Sequence, residues 1–462
     1  MPEPRSAAPP APGAPPERRL TPAVKIVYSM GDHTVNIALT AMTLLYFRYL
    51  TDKIGFSGLL AGAVPWIGRL VDAFTDPLMG RISDHTRWRW GRRRPYLLLG
   101  CIPFGVAFAL QWIEVPGSDA TQFAYYAGMY VLMSLGMTVV TVPYLALIPE
   151  MSRDYDERTS LNTYRAAFGL GGVFVTVGMG YAASSMGDDV RAWQITAAVV
   201  GLWLILPWLV VYRVTWERPR NHDAVSTLRL VEGLRLVFRH RTYQILCALY
   251  ITGRIAIDAV STLFIYYVSW VIGRPDDFAL LLAFFLATVV LSLPGWLLLT
   301  RHFDKRRVFI VGCLWWMVAQ LVLAAGQPEW ERWLVFTVTA LAGMGYAVVD
   351  FIPWAMLPDV VDEDELITGE RREGLYTGMF TFLRKIGGAT AVLAIGIVLD
   401  LSGYDGQAAV QEGTAVGAIR GMMAVLPAVL LLSAVWFARR YPLSREVHHR
   451  IREGLAARQA SG

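Results

Sequence analysis

Residues 65–98 read PWIGRLVDAFTDPLMGRISDHTRWRWGRRRPYLL: an apolar stretch that carries charges, a basic loop, and the start of another apolar stretch. Arg69, Asp72 and Asp76 lie inside the first stretch. A charge at mid-bilayer costs on the order of 2.5–3.5 kcal/mol on insertion scales, so each one needs a partner or a task. The loop carries Arg81, Arg87, Arg89, Arg92, Arg93 and Arg94, and basic residues collect on the cytoplasmic side of a membrane. The segment therefore reads as a span, a cytoplasmic loop and a second span.

The rest of the chain repeats this pattern. Of its 462 residues 55% are hydrophobic and 17% charged, with a mean hydropathy of +0.42. Soluble domains carry about 25% charge, so much of this surface must face lipid. Apolar stretches recur at 24–50, 56–80, 95–113, 121–149, 163–186, 190–213, 243–272, 276–300, 307–326, 332–358, 374–400 and 416–438. Most reach the roughly 20 residues that a helical crossing requires. Basic residues return after the sixth stretch (Arg213, Arg218, Arg220), after the eighth (Arg301, Lys305, Arg306) and at Arg439, whereas EVPGSDATQ (114–122) has none. This predicts an all-α, multi-pass protein of the cell (inner) membrane with both termini cytoplasmic. The expected divisions are a disordered Pro/Ala-rich tail (1–23), a six-helix bundle (24–213), a cytoplasmic loop (214–242), a second bundle (243–438) and a cytoplasmic tail (439–462).

Several chemistries are poor readings from the outset. Cys101, Cys247 and Cys313 lie far apart and offer neither a disulfide framework nor CxxC spacing. No histidine opens an HExxH, and none of Lys25, Lys53, Lys305 and Lys385 precedes Ser or Thr, so there is no Walker A loop. No nucleophile–base spacing stands out, so an enzyme is not expected. The net charge of +5 is mostly arginine and calls for no nucleic acid.

The two halves echo one another, as an internally duplicated transporter should. VPYLALIPE (142–150) matches IPWAMLPD (352–359), and YFRYLTDKIG (46–55) matches FIYYVSWVIG (264–273). Glu157-Arg158 matches Glu370-Arg371.

Asp72 and Asp76 are four residues apart and share one helix face. Close carboxylates repel unless a cation lies between them or one takes a proton. Their oxygens, with those of Thr75 or Thr138, suit a hard cation such as Na⁺. The competing reading is an internal ion pair with Arg69 or Lys385 that only holds helices together. Lys385, mid-span in FLRKIGGAT, should seek those carboxylates. Arg384 points about 100° away from it and could snorkel or meet another helix. Arg165 reads equally as a gate or ligand contact and as a snorkelling residue. Arg254 and Asp258 form an i, i+4 pair that reads as structural. Asp32 and Asn36 make a polar face, either for helix packing or for a ligand. Tyr144 and Trp354 follow the paired prolines, where a broken helix can line a cavity.

The chain resembles the glycoside–pentoside–hexuronide:cation symporters of the major facilitator superfamily. The resemblance rests on YSMGDHTVN (28–36), RLVDAFTDPLMGRISDHTRWRWGRRRPYLL (69–98), VPYLALIPEMSRDYDERTSLNTYR (142–165), PWAMLPDVVDEDEL (353–366) and REGLYTGMFTFLRKIGG (372–388). It implies about twelve helices in two six-helix halves, no cofactor beyond a coupling cation (Na⁺ or H⁺), a small-molecule solute, and a monomer in the lipid bilayer. By position it places Asp72, Thr75, Asp76 and Thr138 at the cation, with Asp72 and Asp76 as the Na⁺ ligands. Asn36, Thr141, Leu145 and Arg165 fall on sugar-contact positions and Lys385 on a functional lysine; Asp32, Tyr144 and Trp354 complete the expected solute set. Asp84, Arg92 and Arg93 fall in the superfamily's cytoplasmic latch. Asn36 and Thr141 stand where melibiose-type members carry carboxylates, and Leu145 where they carry an aromatic. These departures disfavour a melibiose-type solute more than sugars in general.

FTDP, VPY-x-AL and PW-x-MLPDV also resemble the sodium-dependent lysophosphatidylcholine transporters. The first reading is therefore cation-coupled symport of a sugar or glycoside by alternating access, with a lysophospholipid or other amphiphile as the alternative solute. A non-transporting membrane sensor would predict an added signalling domain or a degraded cation site, and Asp72 and Asp76 are intact.

Overall fold

The computed structural model describes residues 20–152, 155–217, 239–369, 372–408 and 410–461. Most of the expected N-terminal tail, most of the central loop and the Glu370-Arg371 pair lie outside these residues. Twelve long helices follow in order: α1 Pro22–Leu44, α2 Gly58–His85, α3 Arg94–Leu110, α4 Asp119–Met151, α5 Tyr155–Ser185, α6 Val190–Val214, α7 Arg241–Tyr266, α8 Phe278–His302, α9 Lys305–Ala324, α10 Arg332–Thr368, α11 Glu373–Leu401 and α12 Gly413–Arg440. Each coincides with one expected stretch. Among the described residues, nine helices are long and apolar enough to cross a bilayer by length and composition alone. The other three fall short for visible reasons: α1 carries Asp32 and Asn36, α2 carries Arg69, Asp72 and Asp76, and α3 has 17 residues.

Local chemistry sets the helix starts. Thr21 caps α1 with Pro22 at its first position, Ser57 caps α2, and Asp189 caps α6 with a 2.7 Å bond from the Ala192 amide. Two ends differ from expectation. Helix α5 begins at Tyr155, well before the apolar run, and α10 continues through Pro358 to Thr368. It stops where Gly369 adopts a φ of 79°, a left-handed conformation that glycine takes without a Cβ penalty.

The C-terminal tail contains an element that the sequence reading does not give, because Arg445–Ser461 forms a further helix, α13. Val447, Ile451 and Leu455 recur every four residues and pack on the core, and α13 lies along α10.

The internal repeat is visible in the backbone. Both α1 and α7 are extended by a single π-helical turn, Tyr49–Lys53 and Tyr267–Val271, followed by a left-handed glycine, Gly55 (φ 81°) and Gly273 (φ 71°). Tyr49 donates to the Trp112 carbonyl just past α3, and Tyr267 donates to the Leu323 carbonyl at the end of α9. These are matching positions of the two halves.

Within the N-terminal half α1 packs on α5 and α6, and α3 on α4 and α6; within the C-terminal half α7 packs on α12, and α9 on α10 and α12. The halves meet through α2 with α11, α5 with α8, and α1 with α7. Outward faces stay apolar, as at Val199 on α6, Leu291 on α8 and Val425 and Val429 on α12, all exposed. Such faces suit lipid, and a helix satisfies its own backbone there. This is a multi-pass membrane protein.

At the end where α1 and α7 finish, the halves are bonded together. Asp400 on α11 accepts from the amides of Gly58 (2.5 Å) and Leu59 (2.8 Å) at the start of α2. Thr51 bonds to Tyr266, and Tyr404 donates to Asp52 at 3.0 Å. Gly58 and Gly396 touch backbone to backbone, and a Cβ on Gly58 would collide with the Gly396 carbonyl.

Candidate cation and solute site

Helix α2 carries Asp72 and Asp76 one turn apart and packs between α4 and α11. Asp72 is fully buried and accepts from Ser134 of α4 and, at 3.4 Å, from Arg69. Asp76 accepts from Thr138 of α4 at 2.7 Å. Lys385 of α11 reaches across the interface and bridges the pair, 2.5 Å from Asp76 and 3.3 Å from Asp72. One ammonium thus spans two carboxylates at the seam between the halves. Thr75 lies between them in sequence, and its buried hydroxyl has no hydrogen-bond partner among the described residues. The oxygens of Asp72, Asp76, Thr138 and Ser134 are brought together as a hard, oxygen-only set. Ser134 is the member that sequence reading does not reach; it sits four residues before Thr138 on one face of α4, and that spacing is its only signal.

Two cavities lie along the seam. The smaller, about 260 Å³, is lined by Asp76, Thr138, Thr141, Leu145, Arg384 and Lys385 among others. Thr141 lines it too, its buried hydroxyl without a hydrogen-bond partner among the described residues, and Leu145 is an exposed apolar wall. The larger, about 770 Å³, runs from Asp32, Asn36 and Arg165 of the first half to Trp354 and Arg384 of the second. Ligand pockets commonly fall between about 300 and 1,000 Å³.

Arg165 clamps Asp32 with two bonds of 2.6 and 2.9 Å, and it also donates to Asn162 at 2.7 Å. This bidentate geometry removes snorkelling as its explanation. Asn36 donates to the Asp32 carbonyl one turn back. Tyr144, expected at the solute, lines neither cavity. Its ring stacks on Tyr28 and abuts Trp208, and its hydroxyl donates to Asp32 at 2.5 Å, so it supports the Asp32–Arg165 pair from behind. Trp354 does face the larger cavity, with its indole donating to Tyr250 at 3.2 Å and its ring edge-on to Phe380.

Arg254 pairs with Asp258 at 2.8 Å and also with Asp350 of α10 at 2.9 Å, so this cluster spans two helices. Arg384 is different. It faces both cavities, it is exposed, and it forms no ion pair among the described residues.

The basic loop folds within the N-terminal half. Arg93 is buried and donates to Asp84 at 2.5 Å and to Glu150 of α4 at 2.6 Å; Arg92 also pairs with Glu150. Glu217 accepts three backbone amides, from Arg92, Arg93 and Arg94, each at 2.9 Å, and so caps the start of α3. The sequence does not single out Glu150 or Glu217, because their partners are distant in the chain.

A profile described as MFS/sugar transport protein matches residues 27–445. The chain belongs to the MFS/sugar transport protein family. Similar proteins include an uncharacterized symporter of Synechocystis, 29% identical over 94% of this chain and 96% of the relative. The putative glycoside/cation symporter YagG of Escherichia coli is 28% identical over 96% of this chain and 98% of its own length. The sodium-dependent lysophosphatidylcholine symporter 1-A of Danio rerio is 24% identical, covering 93% and 87%. Among solved structures, a bacterial homologue of the human lysosomal transporter Spinster, inward-facing and occupied, aligns with a TM-score of 0.70 over 93% of this chain and 98% of the homologue. At 14% identity that likeness concerns the fold. Helices α1 to α12 of this MFS family member thus form the major facilitator fold.

Proposed function

We propose that this MFS/sugar transport family member is a secondary active transporter that couples inward movement of Na⁺ or H⁺ to that of a sugar or glycoside. The observation that carries the proposal is the Lys385 ammonium bridging Asp72 and Asp76 across the seam of the halves. Lys385 is a built-in cation on one half held by an anionic site on the other. A coupling cation that enters among Asp72, Asp76, Thr75, Thr138 and Ser134 displaces it and breaks a bond between the halves. A ligand shifts a conformational equilibrium only by its differential affinity for the two states, and here the exchange of cations supplies that difference.

The solute then binds between Asn36, Thr141, Leu145 and the Asp32–Arg165 pair on one side and Trp354 on the other. An indole presents a broad apolar face to a sugar ring, while the charged pair offers directional hydrogen bonds. The family and the relative described as a glycoside/cation symporter support this solute class. The α2–α3 connection and both termini face the cytoplasm of a bacterial-type inner membrane, a reading that the arginines of the loop support. The bonded end at Gly58 and Asp400 is then periplasmic. The working unit is a monomer, and no group other than the coupling cation is required.

The test is uptake into proteoliposomes, with sugars and glycosides screened with and without an imposed Na⁺ or H⁺ gradient. Concentrative, gradient-dependent uptake that Asp72→Asn and Asp76→Asn each abolish is the expected result. A second reading, symport of a phosphate-bearing amphiphile, is favoured by Arg384, which offers the cavities a cation without an ion-pair partner among the described residues. Gradient-driven uptake of a lysophospholipid with no uptake of any sugar would replace the first reading by this one.

A further inference from the structure

The larger cavity has a second polar end. Gln320 of α9 is fully buried, yet neither its amide oxygen nor its amide nitrogen has a hydrogen-bond partner among the described residues. Thr339 of α10 is 1% exposed, and its hydroxyl is likewise unpartnered. Both line the larger cavity, among Leu282, Leu323 and Met423. Gln320 lies four residues from the end of α9 and Thr339 seven from the start of α10, so both sit toward the end where the halves are bonded together. Buried polar groups are almost always satisfied, and a buried donor or acceptor left without its bond keeps the full penalty of desolvation. Three such atoms, carried by two residues that line one otherwise apolar end of the cavity, therefore point to a ligand.

On the reading that the solute is a glycoside, we infer that Gln320 and Thr339 form a second subsite, in the C-terminal half, for the hydroxyls of a sugar unit or polyol attached to the ring held near Arg165 and Trp354. Gln320 presents donors and an acceptor at one place. A carboxylate or phosphate would oppose its oxygen and an ammonium its NH₂ group; a neutral hydroxyl satisfies both. The cavity of about 770 Å³ reaches from α1 and α5 to α9, α10 and α12, so residues at both of its ends are available to a solute of two units. The preferred solute is thus a disaccharide or a hydroxylated glycoside, and these two residues set the preference over an apolar aglycone.

The experiment uses the purified full-length protein in saturating Na⁺ and measures ligand-induced thermal stabilisation. The probes are the methyl glycoside, the phenyl glycoside and the disaccharide, in the gluco, galacto and xylo series. The parent should bind the disaccharide of one series more tightly than the phenyl glycoside. Gln320→Leu should weaken the disaccharide by about tenfold, leave the methyl glycoside unchanged, and invert the preference toward the phenyl glycoside. Thr339→Val should act in the same direction. Without ligand, Gln320→Leu should be at least as thermostable as the parent, because an unsatisfied buried amide is replaced by an apolar group. A fall in ligand-free stability would make the amide structural and overturn the subsite. Equal disaccharide affinity in parent and variant would overturn it too, leaving glycoside binding itself intact. If the parent binds no probe in any series, the glycoside reading fails and the subsite with it.

Discussion

Lys385 is the residue on which the most chemistry converges. It holds two carboxylates, one of them fully buried, and in its absence Asp72 keeps, among the described residues, Ser134 and the longer contact to Arg69. Removing one partner of a buried charge pair costs about 3–5 kcal/mol. Lys385→Ala should therefore melt earlier than the parent without Na⁺, and Na⁺ should restore more stability to it than to the parent. The same change removes an internal competitor for the cation site. Equilibrium Na⁺ binding should therefore become tighter than in the parent. Identical affinity would assign Lys385 a packing role only. Arg384, its neighbour, predicts the opposite. As it has no ion-pair partner among the described residues, its replacement by Gln should cost less than about 1 kcal/mol of stability, and any effect should appear in solute selectivity alone. A melting scan beside uptake competition separates the two.

At the scale of elements, the basic loop shows how far a sequence can be read. Asp84, Arg92 and Arg93 are legible as a charge network from one short segment, and Asp84 does bond Arg93. The rest is not legible, because Glu150 approaches Arg92 from 58 residues away on α4 and Glu217 from 125 residues away beyond α6. Their inclusion changes the meaning of the network, whose described bonds tie α2, α3, α4 and α6 together within one half. Glu150 is the deeper partner, its side chain 10% exposed against 42% for Asp84. Exposed ion pairs contribute about 0–1 kcal/mol, whereas orphaning a buried charge costs several times more. Glu150→Gln should lower the melting temperature clearly and Asp84→Asn barely, in differential scanning fluorimetry of purified protein. At the opposite end, Gly396→Leu would force side-chain atoms into the Gly58 backbone. It should hold that end open, so that a cysteine replacing Thr51, which is buried between the halves, labels faster with a membrane-impermeant maleimide than the same cysteine in the parent background. The candidate site divides in the same way. Asp72, Asp76 and Lys385 declare themselves as charges in apolar runs, whereas Gln320 and Thr339 are neutral and ordinary in such runs. Only their missing partners mark them, and a sequence does not show those. Helix α13 escapes because its apolar positions are few beside its charges, though their spacing of four is present.

Across the whole molecule, the two cavities and the cation site collect ten formally charged groups among the described residues: Arg69, Arg165, Arg254, Arg384 and Lys385 against Asp32, Asp72, Asp76, Asp258 and Asp350. Five cations oppose five anions, so this lining is formally neutral as it stands. That balance has an electrical consequence. A carrier whose core is neutral when empty gains one positive charge on taking up a single Na⁺ with an uncharged glycoside, and only the loaded form moves charge as it turns over. The resting potential then acts on the loaded step and spares the return, with about 2.3 kcal/mol for a full charge crossing 100 mV. Uptake of a neutral glycoside should generate a current on a solid-supported membrane and quicken with an inside-negative voltage, whereas an anionic solute carried on the same cycle should be electrically silent. Such a molecule would read the voltage of its membrane as well as the concentration of its cation.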